Sequence, residues 1–265
     1  WGLANYLQPS GLTTPDALTL QSRLADLAAR GADSVCLEVS SHAIDQGRIE
    51  GIHFNSALFT NLSRDHLDYH RTMEHYAETK LLLFRRRELE SAVINIADPI
   101  GRAFAGEDLS ARLWTYGDDA SADVFPTKVD IDTGGIALCL ESPIGEISFA
   151  SALQGHFNVS NLTAVATMLV AHGSSVTKIS EVMGQLEPVP GRMLFCQGSG
   201  GGRPTVVVDY AHTPEALSIL LKSLRTHTEG EMWCVFGCGG DRDRGKRSEM
   251  GQEASLWADR IVLTN

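Results

Sequence analysis

No stretch of this 265-residue chain reaches the roughly 18 consecutive apolar residues that a membrane span needs. Nor does the chain open with the charged, apolar and cleavage-site series of a leader, so a soluble, untargeted protein is expected. Positive charge is scarce: 22 Lys+Arg stand against 33 Asp+Glu, a net charge of −11. That balance argues against nucleic acid as a partner. Any anionic ligand must be met by locally placed cations or backbone N–H groups. The pattern G-x-x-x-x-G-K-[ST] occurs nowhere, which removes a Walker A loop from the readings available. Cysteine is limited to five residues, an odd number, and Cys234 and Cys238 are spaced four apart rather than as a CxxC pair. With Cys36, Cys139 and Cys196, they read as reduced core residues of a cytosolic protein. The first residue is Trp1, not methionine, and a strand-like run reaches the last, so both ends are expected to be cuts in a longer chain.

What is present alternates between strand and helix. "PDALTLQSRLADLAAR" (15–30) spaces Leu18, Leu24, Leu27 and Ala28 helically and meets Gly31 as a stop. "DSVCLEVSSH" and "SALFTNLS" read as buried strands, and "MEHYAETKLLLFRRRE" as a helix. Together they predict an α/β layer with a mostly parallel sheet. From about Ser91 to Ala152 come short β-like runs, "AVINI", "RLWTYG", "GIALCLE" and "GEISFA", which predict a smaller, partly antiparallel section. Helical pattern returns in "NVSNLTAVATMLVAHG" and "TKISEVMGQL". "EPVPGRM" then reads as an interdomain connection, followed by a β-α-β-α-β series that starts a second α/β domain. The expected division is 1–187 and 188–265.

"LFTNLSRDHLDYH" (58–70) lies just past the carboxyl end of a predicted strand, where open α/β sheets place ligands. Either it forms a site, or Asp65 and Asp68 cap the next turn while His66 and His70 sit partly exposed. Glu38, at the tail of a predicted buried strand, would need a cation or donors if buried. Glu38 and His66 could share a metal, and an O/N donor set without thiolates suits Mg²⁺ or Mn²⁺ bridging phosphates. Spacing alone leaves Lys80 open between a snorkelling surface lysine and a functional one. "GCGGDRDRGKR" (237–247) is a glycine-rich, cation-rich turn suited to carboxylates or phosphates.

Taken in order, "TTPDAL", "LEVSSHAIDQGRI", "FTNLSRDHLDYH", "YAETKLLLF", "GHFNVSNLTAV", "PGRM", "VVVDYAHTPEAL" and "VFGCGGDRDRGKR" resemble the Mur ligases, most closely the MurE type, over nearly the whole chain. The resemblance implies an ATPase-type central domain lacking its Walker A part, followed by the first part of a Rossmann-like C-terminal domain. It implies ATP-dependent amide formation in cytoplasmic, bacterial peptidoglycan precursor synthesis, through an acyl phosphate. The partners would be a UDP-MurNAc-dipeptide and a free amino acid, with meso-diaminopimelate favoured over L-lysine; the enzyme would be monomeric. ATP and Mg²⁺ are implied, with Glu38, His66 and Lys80 as metal ligands, Lys80 as N6-carboxylysine. Asn158, Asn161, Arg192, Asp209 and, more loosely, His212 match nucleotide contacts. Thr13, Thr14, Ser40, Gln46 and Arg48 match contacts to the UDP-sugar peptide, and Arg242 matches the arginine that meets the incoming amino acid. Asp65, Asp68 and His70 then take loop-shaping or supporting roles.

The family's phosphate loop is expected before Trp1, so this piece alone is expected not to turn over ATP. Three other readings remain: a sibling ligase adding D-glutamate, a dipeptide, or glutamate to folate; a phosphohydrolase activating water with Glu38, Asp65, His66 and Asp68; and a non-catalytic scaffold.

Overall fold

A computed structural model of the chain describes residues 1–3, 6–132, 134–197, 204–226, 228–238 and 245–264. Arg242, and with it most of the glycine-rich 237–247 motif, lies outside the described residues. The architecture is mixed α/β, with both parallel and antiparallel pairing. The chain divides into two compact units, one of Trp1–Ala57, His70–Ala92 and Asp108–Arg112, the other of Leu58–Tyr69, Val93–Glu107 and Leu113–Asn265.

In the first unit, helix Ala17–Ala29 begins where the Asp16 carboxylate accepts from Thr19 N at 3.0 Å, satisfying one orphan N–H of the first turn. It ends before Gly31, whose φ of +84° suits a residue without Cβ. Leu20 packs with Ala43 and Ile49 in a core that Leu24, Leu37, Val39 and Leu83 flank. Helix Met73–Phe84 is capped by Thr72, which accepts from His75 N, and it buries Tyr76, Ala77, Leu81 and Phe84. The run from Asp33 to His42, expected as a buried strand, has no ladder over 34–40 and turns into helix at Ser41, and Glu38 is exposed. Apolar residues at 35, 36, 37 and 39 look like a two-sided strand, yet only Leu37 and Val39 reach the core. The premise that Glu38 is a buried charge therefore fails.

In the second unit, Phe125–Asp132, Gly135–Glu141 and Ile147–Ser151 form an antiparallel sheet with Leu138 opposite both Val129 and Phe149. Its alternation of two puts Ile136, Leu138, Leu140 and Ile147 at 0–1% exposure. They pack with Val159, Leu162, Ala166 and Val170 of helix Phe157–Ala171 and with Ile179 and Met183 of helix Val176–Met183. A separate core joins helices Pro214–Arg225 and Gly245–Trp257 to the parallel strands Trp233–Gly237 and Arg260–Thr264, through Leu217, Leu221, Cys234, Met250 and Ala254.

Two strands were expected in the wrong sheet. "AVINI" and "RLWTYG" do not belong to the antiparallel section: Ser91–Asn95 and Arg112–Tyr116 follow Ser56–Phe59 in a three-stranded sheet, Ser91–Asn95 central and wholly buried. Periodicity says how many faces a strand buries, not which neighbour it pairs with. The cysteines also differ from expectation. All five are free, but only Cys234 is buried, with Cys36 and Cys196 exposed. Cys36 points outward from the unladdered run, and Cys196 lies in the two-stranded antiparallel pair Leu194–Gln197 and Thr205–Val208, where Phe195 and Val206 are also exposed.

Candidate functional site

Thr14 organises the segment that carries Glu38. Its side chain is 1% exposed, and its hydroxyl donates to the Glu38 carbonyl at 2.8 Å while accepting from Ser40 N at 3.0 Å. One hydroxyl thus satisfies two backbone groups that a strand ladder would otherwise engage. Ser40 caps the short helix Ser41–Asp45, its Oγ accepting from Ala43 N at 3.2 Å. Arg48 donates from Nη1 to the Thr14 carbonyl at 3.0 Å and from Nε to Gln46 Oε1 at 2.9 Å. Thr14, Ser40, Gln46 and Arg48 therefore share one hydrogen-bonded cluster in the first unit, with Thr13 exposed beside it.

Lys80 is half-buried, its Nζ 5.4 Å from the centroid of the Tyr76 ring one helical turn back. Burial pushes the amine below the ordinary lysine range, and the nearby negative charge of Glu38 opposes that shift. An ammonium would repel a divalent cation, but a less basic amine more readily takes up CO₂ as its neutral form. A lysine carbamate would be a hard oxygen donor of the kind Mg²⁺ prefers, so Lys80 in that form would suit the ion.

In the second unit, His66 has φ +57° and Met193 φ +45°, left-handed conformations uncommon for residues with a Cβ. Each is held by a carboxylate: His66 N donates to Asp65 Oδ1 at 2.9 Å, and Met193 N donates to Asp209 Oδ2 at 2.8 Å. The other Asp209 oxygen accepts from Ala211 N at 2.8 Å, so Asp209 ties the connection near residue 193 to its own loop. Arg192 places its guanidinium 4.6 Å from the centroid of the exposed Tyr210 ring. Asn158 and Asn161 lie on one face of their helix, Asn161 Nδ2 donating to Asn158 Oδ1 at 3.0 Å and Asn158 Nδ2 to the Gln154 carbonyl at 2.7 Å.

Asp65, expected in a loop-shaping or supporting role, is a hub. His66 Nε2 and His212 Nε2 each lie 3.6 Å from its Oδ2, and Lys246 Nζ lies 4.0 Å from Oδ1. At 3.6 Å the histidine contacts are too long for short hydrogen bonds, and each becomes an ion pair only where the imidazole is protonated. The His212 contact, aided by the charges of His66 and Lys246 and opposed by burial, holds the Asp65 carboxyl down to about 2. Reciprocally, Asp65 raises the His212 imidazole above its usual value. Arg64 meets Glu249 at 3.2 Å in the same region. Sequence reasoning missed Lys246 and Glu249; the only signal for Lys246 was its place at the end of the cation-rich motif.

His70, expected to be partly exposed, is 2% exposed in the first unit, and Asp68 is exposed. Among the neighbours that bury His70 are Ser41, its Oγ 2.8 Å from Nε2, and the Tyr76 ring stacked on it. Among the described residues, no three His, Cys, Asp or Glu side chains converge in a way that could hold a metal. The dense carboxylate centre required by a phosphohydrolase is therefore not found there.

These sites stand on an α/β scaffold of the kind used by nucleotide-dependent ligases. Residues 2–169 match the Mur ligase middle domain and residues 191–265 the Mur ligase glutamate ligase domain, and the chain belongs to the Mur ligase family. It is 45% identical over 269 residues to the UDP-N-acetylmuramoyl-L-alanyl-D-glutamate--2,6-diaminopimelate ligase of Xylella fastidiosa (strain 9a5c), covering 100% of this chain and 54% of the relative. It is also 45% identical, over 266 residues and the same shares, to the protein of that name from Pseudomonas syringae pv. tomato (strain ATCC BAA-871 / DC3000). A solved structure of a protein with this name superposes with a TM-score of 0.72 at 40% identity, covering 95% of this chain and 52% of that one. A folate complex titled FPGS-AMPPCP shares the fold, with a TM-score of 0.69 at 16% identity over 93% of this chain and 65% of that one. The chain spans about half the length of the curated relatives it matches. Among the described residues, no helix is long and apolar enough to cross a membrane.

Proposed function

We propose that the protein acts in the bacterial cytoplasm as a monomeric, ATP-dependent ligase that adds meso-diaminopimelate to UDP-N-acetylmuramoyl-L-alanyl-D-glutamate. On this reading residues 1–187 belong to the central domain and 188–265 to the first part of the C-terminal domain. The observation that carries the proposal is the match of residues 2–169 and 191–265 to the Mur ligase middle and glutamate ligase domains, supported by the half-buried Lys80 and the hydrogen-bonded cluster of Thr14, Ser40, Gln46 and Arg48. Bound Mg²⁺ and ATP would supply charge neutralisation and the phosphoryl group that activates the substrate carboxylate.

Each residue then has a defined task. Glu38, His66 and Lys80 as N6-carboxylysine hold the metal. Arg48 and Ser40, with Thr13, Thr14 and Gln46, orient the acidic UDP-sugar peptide, Arg48 supplying the local cation that a chain of net charge −11 requires. Asn158 and Asn161 present amides to the adenine, while Arg192, Asp209 and His212 meet the nucleotide from the connection and the loop after Val208. Arg242 receives the carboxylate of the incoming amino acid.

The test uses the natural full-length protein with ATP, Mg²⁺, the UDP-dipeptide and either meso-diaminopimelate or L-lysine, following phosphate release and product mass. Phosphate release that requires both the dipeptide and meso-diaminopimelate is expected. Release independent of the amino acid refutes ligation, and preference for L-lysine refutes the assignment of the third residue.

A further inference from the structure

His66 lies past the end of strand Ser56–Phe59, and no ladder or helix holds residues 60–66. Three side chains of the second unit meet the start of that loop instead. Tyr116, 1% exposed, donates its hydroxyl to the Phe59 carbonyl at 3.2 Å. Asn95, 7% exposed, donates from Nδ2 to the Thr60 carbonyl at 2.7 Å and accepts at Oδ1 from Ala97 N at 3.0 Å, so both ends of its amide are engaged. Asp98 divides its carboxylate: Oδ2 accepts from Leu62 N at 3.2 Å, while Oδ1 caps helix Pro99–Ala105, accepting from Ile100 N at 2.8 Å and Gly101 N at 2.9 Å. The helix that Asp98 caps is itself pinned. Arg102 donates to the Ile96 carbonyl from Nε at 3.1 Å and from Nη2 at 3.0 Å, and Gly101 sits so close to the preceding strand that a Cβ there would lie 1.9 Å from the Asn95 carbonyl oxygen.

We propose that Asn95, Asp98 and Tyr116 are positioning residues for the loop that carries His66, holding its backbone at Phe59, Thr60 and Leu62 where the strand ladder stops. The Asp65 carboxylate takes the far end of the loop, accepting from His66 N at 2.9 Å and holding the φ of +57° there. Each of these backbone groups would otherwise need a ladder partner or water. A loop free to move would offer the His66 imidazole in many directions, and a ligand already held loses less freedom on meeting its ion. For its functional meaning the proposal rests on the reading of His66 as a metal ligand, but the anchoring itself can be measured with no metal present.

The experiment is hydrogen exchange of the natural full-length protein without metal or nucleotide, read from overlapping peptides by mass spectrometry. The Leu62 amide, outside any ladder or helix, is expected to be protected in the wild type. Asp98→Asn keeps an oxygen for the helix cap but no second acceptor for Leu62 N. It is expected to speed exchange at Leu62 about tenfold, the weight of one bond to a charged acceptor, while helix Phe157–Ala171 of the same unit exchanges as before. Should Asp98→Asn not fold, Tyr116→Phe removes only the hydroxyl and carries the same expectation over residues 60–62 at about threefold. An unprotected Leu62 amide in the wild type, wild-type exchange over 60–62 in a folded variant, or faster exchange spread through the whole unit overturns the proposal. The second readout is Mn²⁺, bound in place of Mg²⁺ together with ATP and followed by electron paramagnetic resonance. Asp98→Asn is expected to weaken it about tenfold, the low end of what losing a support behind a metal ligand costs. If His66→Ala weakens Mn²⁺ binding and Asp98→Asn does not, the positioning role is overturned; if neither does, the reading of His66 as a ligand falls instead, and the exchange result still decides the anchoring.

Discussion

Thr14→Val is the sharpest test of how the first unit is built. Valine matches threonine in shape, so no cavity opens, and the perturbation is the hydroxyl alone. That hydroxyl accepts from Ser40 N at 3.0 Å and donates to the Glu38 carbonyl at 2.8 Å from a position 1% exposed. Leaving the Ser40 N–H unpaired costs about 1–2 kcal/mol, and the lost bond to the carbonyl about 0.5–1 kcal/mol more, because that end of the segment can recruit water. The sum, about 2 kcal/mol, should appear as a lower urea midpoint with an unchanged slope in the natural full-length protein. Ser40 and Arg48, which also bonds the Thr14 carbonyl at 3.0 Å, lose their anchor. The KM for the UDP-dipeptide should therefore rise more than kcat falls. Thr14→Ser keeps the hydroxyl and should lose only about 0.8 kcal/mol for its methyl group. A Thr14→Val protein with the wild-type midpoint and KM would refute the idea that this one hydroxyl stands in for a strand ladder.

Other expectations follow from the second unit. Asp65 has a depressed pKa, so its contribution is present above the ordinary carboxyl value and lost as pH falls through about 2. His212 has a raised one, so its contribution is full below the ordinary imidazole value and lost as pH rises through the raised one. The penalty of Asp65→Asn should accordingly be greatest between about pH 4 and 6.5. It should be about 1 kcal/mol there, discounted because half of the His212 side chain is exposed, and should shrink in alkaline solution; a pH-independent penalty in urea titrations would contradict the pairing. In Gly101→Ala, the new Cβ would lie 1.9 Å from the Asn95 carbonyl oxygen and 3.1 Å from Phe59 Cδ1. A loss of about 2–3 kcal/mol in the denaturation midpoint is expected. Asp209→Asn weakens the bonds to Met193 N and Ala211 N, and should raise the KM for ATP several-fold in steady-state assays.

What the sequence discloses and what it hides divide along the range of the interactions. Helix Ala17–Ala29 is legible because its start and stop, Asp16 and Gly31, are written beside it. The Asn158–Asn161 pair is legible because three residues on a helix make neighbours. The run through Glu38 was misread because strand character belongs to a pair of strands, and apolar residues alone say nothing of a partner. Burial of His70 was misread for the same reason: whether a histidine can be buried depends on what meets its two nitrogens. Here Ser41 lies 29 positions earlier in the chain. Asp65 is the extreme case, since His212 and Lys246 come from the far end of the chain. Ordered motifs suggested the family and its candidate ligands, yet the residues that would hold those ligands in place, Thr14, Asp98 and Asp65, act through such distant contacts. The motif residues stand on these supports: the Thr14 hydroxyl holds the backbone at Glu38 and Ser40 from 24 and 26 positions away, and nothing in "LEVSSH" itself announces that anchor.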